Sequence, residues 1–129
     1  MNKKGKILLI DDDVDLVAAT RTILEKSGYE AVTANRVDEG IELARKEKPD
    51  LVLLDVIMPV KDGFTAADLF KNDPQLKSIP IVMLTAFSSK GSGSSVPRGK
   101  GLYLEADDYL EKPVQPDLLL STIAQHLRK

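Results

Sequence analysis

Three short aliphatic runs constrain this chain more than any other feature of it. Ile7, Leu8, Leu9 and Ile10 lead into Asp11, Asp12 and Asp13. Leu51, Val52, Leu53 and Leu54 lead into Asp55, and Ile81, Val82, Met83 and Leu84 lead into Thr85. A strand without polar alternation needs cover on both faces, and such strands belong to parallel sheets. Each run stops at a residue able to do chemistry. Parallel neighbours bring such residues together at one edge of the sheet.

The rest of the chain alternates in the same way. Strands are predicted over residues 6–10, 30–34, 51–54, 79–84 and 108–110. The first helix is expected from Val14 to Ser27, with Asp13 as N-cap and Gly28 as its stop. Val17, Ile23 and Leu24 form its inner stripe. A second helix over residues 37–46 turns Val37, Ile41 and Ala44 inward and ends before Pro49. A third is expected over 64–72. The last starts at Pro116, a favoured first-turn residue, and runs to Leu127 with Leu119, Leu120, Ile123, Ala124 and Leu127 inward. A β-α-β-α series implies an α/β fold, a doubly wound parallel sheet with helices on both faces and right-handed crossovers. Ligands of such sheets bind beyond the carboxyl ends of the strands.

Residues 88–101 break the pattern. Four glycines, five serines and a proline make a regular helix there unfavourable. The expected crossover is a long irregular loop at about 88–101, with at most a helical turn near Leu102–Glu105. The chain of 129 residues suits one domain, here residues 1–129. It has no cysteine, which excludes disulfides, thiolate metal sites and a thiol nucleophile. A net charge of −2 argues against direct nucleic-acid binding. The apolar run after the basic N-terminus is too short for a signal peptide or a membrane span, so a cytoplasmic location is expected.

The acids carry the functional reading. Carboxylates clustered at a sheet edge repel one another unless a cation sits among them. Oxygen ligands without nearby His or Cys favour magnesium or calcium over zinc, and open water positions favour magnesium holding a phosphoryl group. Asp11–Asp13 also read as a helix cap, but Asp55 precedes Val56, Ile57, Met58 and Pro59, which start no helix. A carboxylate between a cation and a lysine is a nucleophile for phosphorus. Lys112 offers a point charge to a phosphoryl oxygen, and Thr85 a hydrogen bond.

Taken in order, Ile10–Asp11–Asp12, Asp55 with Met58–Pro59 and Asp62–Gly63, Thr85–Ala86, and Tyr109 with Lys112–Pro113 resemble the receiver domain of two-component response regulators. The resemblance covers nearly the whole chain. It implies a flavodoxin-like sheet of strand order 2-1-3-4-5 and a phosphorylation-activated signalling role. Asp55 is then the phosphoacceptor, served by a histidine kinase or phosphotransfer protein. Asp11 and Asp12 are the Mg2+ pair, with Asp55 and the backbone carbonyl of Ile57 as further ligands. Thr85 is the switch hydroxyl, Lys112 the phosphate-pairing lysine and Tyr109 the switch aromatic. The Lys112–Pro113 bond is expected to be cis. The implied activity is magnesium-dependent self-phosphorylation and self-dephosphorylation, with an unknown downstream protein as partner and no membrane.

Two departures from the family pattern stand out. The 88–101 loop replaces or shortens the helix between strands 4 and 5, which implies a remodelled output face. Ile57 and Phe87 are apolar where polar side chains can guide water, so slow self-dephosphorylation is expected. The competing readings fit less well. A haloacid-dehalogenase-like phosphatase needs an acid two residues after the nucleophile, where Ile57 stands. A flavin carrier needs a phosphate loop where Asp11–Asp13 stand. A receiver-fold interaction module without phosphorylation is opposed by the intact acidic set. His126, alone on the last helix, reads as a surface or flanking residue. Met58 and Met83 read as packing, the charges from Glu42 to Lys48 as a solvated helix face, and Lys3, Lys4 and Lys6 as solubilising.

Overall fold

The computed structural model describes residues 4–55, 70–85, 107–111 and 114–127. Five strands, β1 (Gly5–Ile10), β2 (Tyr29–Ala34), β3 (Leu51–Asp55), β4 (Ile81–Thr85) and β5 (Asp108–Glu111), form one sheet in the order β2-β1-β3-β4-β5. Every neighbouring pair is parallel. The helices are α1 (Val14–Lys26), α2 (Val37–Glu47) and α3 (Pro116–Leu127).

Side-chain alternation explains why the aliphatic runs are unbroken. Leu8, Ile10, Val52, Leu54, Ile81 and Met83 face one core with Val37 and Ala44 of α2 and with Phe70. Ile7, Leu9, Leu51, Leu53, Val82 and Leu84 face the other core with Leu24 of α1 and Leu119 and Ile123 of α3. Both faces of the central strands are covered, so successive residues are all buried. Fully burying one such side chain is worth about 1.5–3 kcal/mol. Met83 is packing, as its sequence context implies.

The element ends follow local chemistry. Asp13 caps α1, its side chain accepting from the Asp15 and Leu16 amides at 3.1 Å. Gly28 leaves α1 with φ +98°, a conformation that a Cβ disfavours. Lys48 ends α2 in the left-handed region, and Pro49 follows. Strand β4 begins at Ile81 rather than at 79, because Pro80 has no amide to donate to the ladder and the Ile79 amide closes a turn onto Leu76 O. Of the helix expected over 64–72, only the end lies among the described residues, helical at 70 and 71. The loop expected at about 88–101 and the turn near Leu102–Glu105 lie outside them.

Two surface assignments are corrected by the packing. His126 is buried, its side chain 5% exposed and its Nε2 3.0 Å from Asp108 Oδ2. The buried face of α3 is Leu119, Thr122, Ile123 and His126, rotated from the purely apolar stripe, with Leu120, Ala124 and Leu127 only partly buried. A carboxylate on β5 supplies the imidazole with a partner that no pattern within α3 reveals. Lys6 likewise is not a free solubilising charge. Its Nζ lies 3.0 Å from Glu47 Oε1 and donates to Glu47 O at 3.2 Å, tying β1 to the end of α2. Elsewhere on α2, Glu42, Arg45, Lys46 and Lys48 are exposed as expected.

Candidate functional site

The sheet changes direction between β1 and β3. From β1 the chain crosses to β2 on one side, and from β3 it proceeds to β4 and β5 on the other. In parallel sheets of this kind a crevice opens at the carboxyl edge where the strand order reverses. Register decides what lies in it. Ile10 pairs with Leu54, so Asp11 and Asp55 stand level on neighbouring strands. Asp55 in turn pairs with Leu84, the residue before Thr85.

Asp11 and Asp55 are 0% and 3% exposed, so both carboxyls sit in the mouth of the crevice and out of bulk water. Asp12 is exposed beside them. One carboxylate oxygen from each of the three lies within 4.8 Å of the others. Oxygens on opposite sides of one magnesium ion are about 4 Å apart, so the spacing suits a single shared cation. The donor set is all carboxylate, which favours a hard divalent ion. The turn leading into α1 orients Asp11. Its own amide continues the ladder to Ala34 O at 3.1 Å, and its Oδ1 accepts from the Asp13 amide at 3.0 Å. Asp13 thus belongs to the cap, and Asp11 and Asp12 to the acidic pocket. The N-cap role of Asp13 is the one expected from the sequence.

Thr85 ends β4 opposite Glu111 of β5, and Tyr109 sits on β5 opposite Met83. Thr85 therefore shares the carboxyl edge with Asp11 and Asp55, while Tyr109 lies two residues further back. Lys112 follows Glu111 in the chain but lies outside the described residues, as do Ile57, Phe87, the Met58–Pro59 and Asp62–Gly63 pairs and the Lys112–Pro113 bond.

Sequence reasoning missed the cleft that begins at Asp11. It has a volume of about 490 Å³ and runs between α1 and the β2–α2 turn, past Val14, Ala18, Arg21, Asn35 and Glu39. Val14 is 70% exposed at its rim, beside the acids. An apolar residue at the start of an amphipathic helix gives no sign that its side chain faces solvent. No helix among the described residues is long and apolar enough to cross a membrane.

Comparison with known proteins agrees with this geometry. The chain is 35% identical over 119 residues to the protein PilH of Pseudomonas aeruginosa, covering 92% of this chain and 94% of that one. It is 37% identical over 129 residues to the alkaline phosphatase synthesis transcriptional regulatory protein PhoP of Bacillus subtilis, covering all of this chain and 50% of that protein. The chain likewise spans about half the length of the similar probable transcriptional regulators ycf27, that of Porphyra purpurea being 38% identical. Among solved structures, a chemotaxis response regulator of Vibrio cholerae superposes with a TM-score of 0.79 at 32% identity, covering 95% of this chain and 98% of that one. A two-component response regulator of Clostridium difficile gives 0.83 at 28% identity, with 98% of each chain covered. The family model of the response regulator receiver domain matches residues 7–124. With the strand order, the crevice and its three aspartates in agreement, this chain belongs to the response regulator receiver domain family.

Proposed function

We propose that the 129 residues form one receiver domain in which Asp55 accepts a phosphoryl group from a phosphohistidine donor. The observation that carries this reading is the level placement of Asp55 and Asp11 at the strand-order switch, with Asp12 beside them. Asp11, Asp12 and Asp55 would hold Mg2+, joined by the Ile57 carbonyl. When bound, the ion neutralises charge that builds on the phosphoryl oxygens. In the transfer, a carboxylate oxygen of Asp55 forms the new bond to phosphorus. The phosphorus–nitrogen bond breaks, its electron pair stays on the donor imidazole, and solvent protonates that nitrogen. The product is an acyl phosphate on Asp55.

The remaining roles follow from position. Thr85, at the end of β4, donates a hydrogen bond to the added phosphoryl group. Lys112, one residue past β5, pairs with another of its oxygens, and Tyr109 responds from the same strand. Positioning and charge neutralisation suffice for phosphoryl transfer, so the domain acts as an acceptor and switch rather than as an enzyme on other substrates. Its partners are a histidine kinase or phosphotransfer protein upstream and a protein downstream. The net charge of −2 supports a role without direct nucleic-acid contact, and the cytoplasm is the proposed location.

Incubation with magnesium and a small phosphodonor, followed by intact-mass measurement, tests the reading. The wild type is expected to gain one phosphoryl group and Asp55→Asn none. A wild type that stays unmodified, or an Asp55→Asn protein modified equally, overturns it.

A further inference from the structure

We infer that Gly40 is a positioning residue for the acidic pocket, acting through Ile10; the inference rests on the proposed magnesium-dependent reading of that site. Gly40 lies within α2, on the face that also buries Val37 and Ala44. A Cβ there would stand 2.8 Å from Cγ1 of Ile10 and closer still to its Cδ1. No real Cβ tolerates such an approach, so the absent side chain is what lets α2 seat directly on β1. The cost is a glycine in a helix interior, which disfavours the helix relative to alanine.

Ile10 is a poor place to absorb a displacement. It is fully buried, and its strand pairs it with Ala34 on one side and Leu54 on the other. As a β-branched residue it has restricted rotamers, and close-packed surroundings leave them little room. Asp11 is the next residue along β1, as Asp55 follows Leu54 along β3. An added methyl group therefore has two outlets. It pushes the end of β1, shifting Asp11 against Asp55, or it lifts α2, moving the β2–α2 turn with Asn35 and Glu39 that borders the cleft beside Asp11. The first outlet changes the spacing of the carboxylates, and the second changes the wall of the cleft beside Asp11. Gly40 and Ile10 are thus matched in size, a small residue against a large one, with Ile10 one position before Asp11 on β1.

The test is a Mg2+ titration of the full chain, followed by the backbone amide resonances of Asp11–Asp13 and Asp55, with thermal melting in parallel. Gly40→Ala is expected to weaken Mg2+ binding about twofold or more, the low end of couplings between residues in contact. The double variant Ile10→Ala/Gly40→Ala removes both Cδ1 and Cγ1, the two atoms nearest the new methyl, and is expected to recover the affinity of Ile10→Ala alone. A purely structural role predicts something else: Gly40→Ala changes the melting temperature while the Mg2+ affinity stays at the wild-type value. That result overturns the inference, as does a weakened affinity that Ile10→Ala fails to rescue. Should Gly40→Ala not fold, the double variant decides. Folding with the affinity of Ile10→Ala supports size matching, and anything less overturns it. A wild type that binds no Mg2+ counts against the proposed function instead.

Discussion

Replacing Asp11 by Asn separates charge from shape at the strand-end pocket. Asp11 and Asp55 are both buried, and their carboxylate oxygens lie within 4.8 Å. Two full charges at that distance repel by about 3 kcal/mol at an effective dielectric near 20. Asparagine has nearly the same shape and keeps the oxygen that accepts from the Asp13 amide, so it removes chiefly the charge. Both acids also take part in other interactions. The metal-free Asp11→Asn protein is therefore expected to be more stable than the wild type by about 1–3 kcal/mol. With an unfolding entropy near 2.1 cal/mol/K per residue, that corresponds to a Tm higher by roughly 4–11 °C for a chain of this length. Magnesium reverses the comparison. A ligand that binds only the folded state stabilises it by RT ln(1 + [L]/Kd), and the variant has lost one of the carboxylates that would hold the ion. The wild type should then gain on the variant as magnesium rises. Thermal melts followed by circular dichroism, in chelator and across a magnesium series, measure both effects. A variant no more stable than the wild type in chelator refutes the electrostatic argument, and equal magnesium gains refute the ligand assignment.

Two further predictions probe parts of the fold away from the pocket. His126→Ala removes a buried side chain and its contact with Asp108, and should cost roughly 1–3 kcal/mol in urea denaturation; a change within a few tenths would contradict the packing described for α3. Arg45 holds the Asp73 carboxyl below its ordinary value of 3.8, chiefly through their hydrogen bond and with help from the Gln75 amide. Because the folded value is depressed, this contribution to stability is complete above the unfolded pKa and is lost as pH falls through the folded one. Arg45→Gln should therefore be less stable than the wild type at neutral pH, and the difference should shrink as the acid limb is crossed. A difference independent of pH would show that the pair contributes through packing instead.

Much of the fold was legible because its determinants are local. An aliphatic run of four residues has one economical fate, a strand covered on both faces, and Ile7–Ile10, Leu51–Leu54 and Ile81–Leu84 all take it. Asp13, Gly28 and Pro49 mark helix ends through chemistry within a turn of themselves. The ordered motifs were enough to assign the family and to single out Asp11, Asp12 and Asp55. What the sequence could not decide depends on residues far apart in the chain. The register of β1 on β3 makes Asp11 level with Asp55, and a slip of one residue would have sent one of them to the opposite face of the sheet. The partner of His126 lies on β5, so helical periodicity alone placed that side chain in solvent. Gly40 looks like an indifferent helix glycine until α2 is set against Ile10. Periodicity and end signals are written into neighbouring residues and can be read there. Register, long-range pairing and close approach come into being only when distant segments pack, and in this chain it is register that sets Asp11 level with Asp55.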